Sequence, residues 1–215
     1  MEASITLKKI AKKFRNKTII ADLSFGVEKG TTFVIVGENG AGKSTLMKIL
    51  TGRIERDAGM AYIHGKDIRS RGFETRSITG YMPQIIDLDD ELTILENLII
   101  YGQLHGLSAK SARERVDYWA EILDFSSFLK DIHTTLSFGH QRRICFARAL
   151  LHDPEVILLD EPTTGLDPLS RMKVWSILDR FQGKKTILFA TQNFSEGERY
   201  AHRIAILHEG NIKMD

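Results

Sequence analysis

The sequence predicts an α/β fold in which a parallel-sheet core carries an antiparallel β layer and an inserted α-helical subdomain. Three stretches carry that prediction. GENGAGKST at 37–45 is entered from the apolar run FVIV and left through LMKIL, so it reads as strand, glycine-rich loop, helix. VILLDEP at 156–162 and KTILFAT at 185–191 hold the nearly continuous β-branched and leucine runs that parallel sheets bury on both faces. A chain of 215 residues, 42% of them hydrophobic, can bury one sizeable core. We therefore expect a single domain over 1–215, with 1–87 and 154–215 forming the core and β layer and 88–153 the helical subdomain.

In the glycine-rich stretch, Gly37, Gly42, Lys43 and Ser44 fit a phosphate-binding loop. Its physics needs glycines so that consecutive backbone N–H groups can turn inward around phosphate oxygens. The helix that follows points its positive end at the same anion. Lys43 would reach the β- and γ-phosphates as a compact charge, and the Ser44 hydroxyl would ligate Mg²⁺. Glu38, Asn39, Gly40, Ala41 and Thr45 complete the loop and count as nucleotide-binding positions. A glycine-rich turn that binds nothing would not need a strand on one side and a helix on the other.

Charge and cysteine usage narrow the setting. Thirty basic against 28 acidic residues leave no global basic field, and no nucleic-acid partner is expected. The single Cys145 rules out an internal disulfide framework and suits a reducing compartment. The N-terminal segment has lysines but no apolar core, and nowhere do about eighteen apolar residues run together. The expectation is a cytoplasmic chain that reaches a membrane only through a partner.

Taken in order, ITL at 5–7 and the run from 19 to 27 read as short strands around the polar turn Arg15, Asn16 and Lys17. Phe14 stands just before that turn. Its ring could pack in the ordinary way or stack on a nucleobase. AYIHGK at 61–66 reads as an edge strand and turn, with His64 at the surface and no His/Cys metal site in view. SITGYM at 77–82 reads as a strand ended by Pro83 and Gln84. Helical periodicity follows through Leu92, Leu95, Leu98 and Ile99, then, past Gly106, through Val116, Trp119, Ile122 and Leu123, with Ser108 as N-cap. A further helix spans 138–151. Asp160 and Glu161 end the second buried strand, where open α/β sheets bind ligands. Adjacent strand residues face opposite ways, so these two should have different tasks: Asp160 holding Mg²⁺, Glu161 orienting or deprotonating an attacking water. A helix over 193–202 and a hairpin from 204 close the chain.

These motifs together resemble a nucleotide-binding subunit of an ATP-binding-cassette (ABC) transporter, over nearly the whole length. The elements stand in order: Phe14, GENGAGKST, Gln84, the signature stretch LSFGH at 136–140, LLDEP at 158–162, and Gly165, Leu166 and Asp167 as a dimer-contact loop. YMPQ, DELTILENL and YGQLHGLS are most similar to ATPases of bacterial exporters for drugs, lipids and polysaccharides. The resemblance implies a P-loop NTPase (RecA-like) core, with Phe14 as the adenine platform and Gln84 touching Mg²⁺ or the attacking water. It also implies a head-to-tail dimer, homo- or heterodimeric, each ATP lying between one chain's phosphate loop and Ser137 and Gly139 of the other. An integral-membrane subunit would dock near Gln84 and the helical insert.

Two departures from the family pattern stand out. LSFGH replaces Leu-Ser-Gly-Gly-Gln, putting Phe138 at a glycine position and His140 at a glutamine position. Gln192 stands where the family has a His on the γ-phosphate; Gln donates one hydrogen bond but cannot become cationic. The resemblance therefore implies Mg-dependent ATP hydrolysis with Glu161 and Gln192 as catalytic positions, slowed by these changes. Two other readings are a nucleotide-gated regulatory subunit that barely hydrolyses and a soluble ABC ATPase outside transport. Glu161 argues against the first. The lack of a paired cassette or long coiled-coil insertion argues against the second.

Overall fold

The computed structural model describes residues 3–214, and their strands form two sheets. The antiparallel sheet contains β1 (Ala3–Phe14), β2 (Lys17–Glu28), β4 (Ala58–Ile63) and β5 (Lys66–Asp67), in the order β2-β1-β4-β5. The core sheet contains β3 (Thr32–Val36), β6 (Thr79–Met82), β7 (Val156–Asp160), β8 (Thr186–Thr191), β9 (Arg203–His208) and β10 (Asn211–Met214). Its order is β10-β9-β3-β8-β7-β6, parallel except where β10 pairs with β9. Among the described residues seven α-helices join these strands: α1 (Lys43–Leu50), α2 (Gly72–Ser77), α3 (Ile94–Leu104), α4 (Ala109–Ile122), α5 (Phe138–Leu150), α6 (Pro168–Asp179) and α7 (Phe194–Tyr200).

The parallel strands are apolar throughout because both of their faces are covered. Every residue of β3, β6, β7 and β8 is buried. Their alternation divides the interior in two. Val34, Leu159 and Phe189 join α3, α4, α5 and α6 in one cluster. Ile35, Leu158 and Leu188 join α1 and the antiparallel layer in the other. The arrangement brings the carboxyl ends of β3, β6, β7 and β8 side by side, and Gly37, Gln84, Glu161 and Gln192 all follow those ends.

The structure departs from the expected elements where the backbone leaves a regular path. β1 and β2 are twelve residues each, longer than the short strands anticipated. Register shifts between them, with Lys9 and Asp22 at φ 51° and 47°, break the apolar alternation that would have disclosed their length. β4 is an interior strand, and the two-residue β5 takes the edge. His64 is half-buried, not a plain surface residue, and its Nε2 lies 3.0 Å from Ser4 Oγ. Ser77 ends α2, so β6 starts two residues later than expected.

Helix α6 was not anticipated, although Asp167 caps it by accepting from the Leu169 and Ser170 amides at 3.0 Å and Pro168 opens it. Ser108 does cap α4, accepting from the Ser111 amide at 3.1 Å. Glu161 lies just past β7 at φ 52°. A turn out of the strand, and not strand alternation, separates its direction from that of Asp160.

Candidate active site

Helix α1 starts at Lys43 with Gly42 at its N-cap, no side-chain cap and no acidic residue in its first turn. Its leading amides have no partner within the helix, and its dipole adds partial positive charge at the same point. Gly42 at φ 110° and Gly37 allow the loop to press against its neighbours. A Cβ on Gly42 would fall 3.0 Å from the Ile19 carbonyl oxygen, and one on Gly37 only 2.4 Å from that of Leu207. The loop is thus held against β2 and β9.

Lys43 is buried, donating to the Gly37 carbonyl at 2.6 Å and the Glu38 carbonyl at 3.2 Å, with Nζ 3.4 Å from Glu161 Oε1. These groups open onto a cavity of about 240 Å³. It is lined by Phe14, Lys17, Ile19, Glu38, Asn39, Gly40, Gly42, Lys43, Ser44, Thr45, Gln84 and Glu161. Phe14, at the tip of the β1–β2 hairpin, is 47% exposed at the rim, with the Lys12 ammonium 5.2 Å from its ring centre. Gly37 and Ala41 do not line this cavity and border neighbouring recesses instead.

Behind the loop the acidic strand end is unusually bare. Asp160 is 1% exposed, and neither of its carboxylate oxygens has a hydrogen-bond partner among the described residues. Burial pushes its pKa up; the nearby Ser44 hydroxyl partly offsets this, Glu161 adds to it, and Lys43 and Arg142 pull the other way. Ser44 Oγ donates to Gln84 Oε1 at 3.2 Å, so the first-turn hydroxyl, an amide oxygen and a buried carboxylate belong to one neighbourhood. Oxygen donors of this kind, with substrate phosphates, suit Mg²⁺. The unpartnered carboxylate gives the cation a structural reason to bind. Glu161 Oε1 is also without a hydrogen bond, and Oε2 accepts from Thr164 Oγ1 at 3.4 Å.

Sequence reasoning passed over Arg142. Its side chain is buried on α5, and its guanidinium donates to four carbonyls: Pro83 at 2.6 Å, Gln84 at 2.8 Å, Asp160 at 3.2 Å and Glu161 at 2.6 Å. Burial lowers its pKa, yet a guanidinium stays charged in proteins. The cation therefore fixes the loop after β6 to the end of β7. Glu196, on α7, was also missed. It accepts from Thr163 at 2.6 Å and from Thr191 at 3.3 Å, tying the segment after Glu161 to the strand end before Gln192.

Other expected positions stand apart. Gln192 is exposed and lines a neighbouring recess with Gly37, Glu38 and Asn39. Ser137 and Gly139, at the start of α5, do not line the cavity of their own chain. Phe138 is 48% exposed, and its ring covers Gly165 so closely that a Cβ there would lie 2.4 Å from two ring carbons.

A phosphate loop opening a helix, a buried lysine and an acidic strand end on a parallel sheet define a P-loop nucleotide-triphosphate hydrolase. Residues 20–164 match the protein family described as "ABC transporter", and the chain belongs to that family. It is an ATP-binding subunit with ATP hydrolase activity. It is 39% identical over 210 residues to "Nod factor export ATP-binding protein I" of Paraburkholderia xenovorans (strain LB400), covering 97% of this chain and 69% of that protein. It is 38% identical over 208 residues to the protein of that name from Bradyrhizobium diazoefficiens, covering 96% and 68%.

Among solved structures, an "ATP binding subunit of ABC transporter" superposes with TM-score 0.90 at 28% identity, covering 97% of this chain and 88% of the other. A dimeric ATP-binding cassette in a post-hydrolysis state, bound to ADP and Pi, gives TM-score 0.90 at 25% identity, with coverages of 98% and 97%. Among the described residues no helix is long and apolar enough to cross a membrane.

Proposed function

We propose that this chain powers export across a membrane, as a peripheral subunit on the cytoplasmic face, by hydrolysing ATP while docked to a separate membrane-spanning subunit. The observation that carries the chemistry is the buried Glu161 carboxylate, free of hydrogen bonds at Oε1 and 3.4 Å from Lys43 in the phosphate-loop cavity. The export direction is supported by the names of the Nod factor relatives.

In this reading Phe14 stacks on the adenine while the loop amides and Lys43 hold the β- and γ-phosphates. Ser44, Asp160 and Gln84 would hold Mg²⁺, whose chemistry is to neutralise charge on the phosphate oxygens. Glu161 accepts a proton from the attacking water or orients it, and Gln192 donates to the γ-phosphate. Ser137 and Gly139 act on the ATP of an opposing chain in a head-to-tail dimer, identical or not. The 88–153 subdomain, together with the Gln84 loop, forms the face toward the membrane subunit. ATP drives closure because it bridges the two chains only in the closed state.

Glu161→Gln tests this directly. The amide keeps the shape and loses the base, so MgATP should stay bound and double the mass measured by light scattering. A monomeric variant hydrolysing ATP at the unaltered rate would sink the assignment. A second reading, a regulatory subunit with little turnover, draws on Phe138 lying over Gly165; near-zero ATPase in the unaltered complex with its membrane partner would favour it.

A further inference from the structure

Ser137 and His140 are linked twice. Ser137 Oγ caps α5 by accepting from the His140 backbone N–H at 3.4 Å, and the same oxygen lies 2.7 Å from His140 Nδ1. The hydroxyl has one proton to give. In the neutral imidazole with its proton on Nε2, Nδ1 accepts a hydrogen bond from that O–H and leaves Ser137 presenting oxygen lone pairs to any approaching anion. In a protonated imidazole both ring nitrogens are donors. Ser137 must then accept from Nδ1, and its own O–H is released to point elsewhere.

We propose that His140 is a positioning residue that sets the direction of the Ser137 hydroxyl, so that protonating His140 turns Ser137 into a phosphate donor and strengthens ATP-driven pairing of two chains. This rests on the reading above, in which Ser137 meets the γ-phosphate of an opposing chain's ATP.

The surroundings of His140 give the device its working range. The ring is half-buried, and Phe128 meets it edge-on with centroids 4.7 Å apart. Arg143 faces it from its own helix, Asp167 from the loop before α6, and Ser137 from the cap. Burial, then Arg143, pushes the imidazole below its ordinary range, and Asp167 partly offsets them. The free chain therefore favours the neutral ring, whereas an arriving triphosphate favours the cation. Pairing takes up a proton: its affinity is highest at acid pH and is lost as pH rises through the pKa of the paired form. Glutamine at this position could offer Ser137 an N–H donor with nothing to titrate.

The test measures ATP-dependent dimerisation by sedimentation in the Glu161→Gln background, with MgATP, from about pH 5.5 to pH 8. With His140 present the dimer dissociation constant should rise about a hundredfold across that range, about tenfold for the Ser137 donor at each of the two phosphate sites. Adding His140→Gln should hold it near its acid value throughout. Adding His140→Ala, which removes the acceptor that holds the Ser137 proton, should likewise abolish the pH slope. Equal pH slopes with and without His140 overturn this inference alone. ATP binding with no dimer in any variant at any pH overturns the paired-chain reading as well.

Discussion

At the scale of single residues, Lys43 and Asp160 behave oppositely. Lys43 is buried but well occupied, bonded to two loop carbonyls and close to Glu161. Lys43→Ala should weaken MgATP binding at least tenfold by calorimetry, since a charge-assisted phosphate contact contributes about 1.5–3 kcal/mol. Unchanged affinity would remove Lys43 from the site. Asp160 is buried with both oxygens bare. Its raised pKa means that the fold disfavours the ionised carboxylate, so the stability it withholds at neutral pH returns as pH falls through that raised value. Asp160→Asn should then raise the Tm of the nucleotide-free protein by about 2–4 °C near pH 7, or about 1 kcal/mol, and abolish Mg-dependent hydrolysis. The Tm gain should shrink on acidification. A gain that grows as pH falls would contradict the assigned sign.

At the scale of elements, legibility depended on whether a role is local. The phosphate loop could be read because glycine spacing and the flanking strand and helix lie in one stretch, and β7 and β8 because burial on both faces makes them apolar throughout. The lengths of β1 and β2 could not, since bulged backbone at Lys9 and Asp22 disrupts the period. Helix α6 could have been found: Asp167 followed by Pro168 is a start signal. Arg142 could not, because its meaning lies in four carbonyls brought to it from two distant segments. Arg142→Met should cost about 3–5 kcal/mol in chemical denaturation, as carbonyls paired to a buried cation lose it. It should also lower turnover in whatever protein remains folded. A loss below about 1 kcal/mol would mean that water replaces the guanidinium easily.

At the scale of the whole molecule, the cavity of one chain holds every expected nucleotide contact except those at Gln192, Ser137 and Gly139 and the supporting positions Gly37, Ala41 and Asp160. The family pattern carried both the order of the motifs and the expected pairing of chains, whereas the place of Gln192 in a neighbouring recess was not legible, because a linear pattern does not say where the end of β8 puts the next side chain. Phe138 separates the two levels. It does not line the cavity of its own chain, so Phe138→Gly should leave single-chain ATP affinity unchanged and raise kcat of the assembled complex by removing a bulky ring beside Ser137 and Gly139. A weakened ATP affinity in the isolated chain, by calorimetry, would place the residue in the wrong step.

The four bonds of Arg142 also bear on noise. In the proposed mechanism, a water held for attack would respond to the difference between the positions of Gln84 and Glu161, not to their sum. Both residues have their carbonyls fastened to one guanidinium. A shift of α5 should therefore carry the two backbone segments along together, as vibration carries two instruments bolted to one bench. Arg142→Met should therefore loosen the spacing of these two segments before it disturbs either one alone.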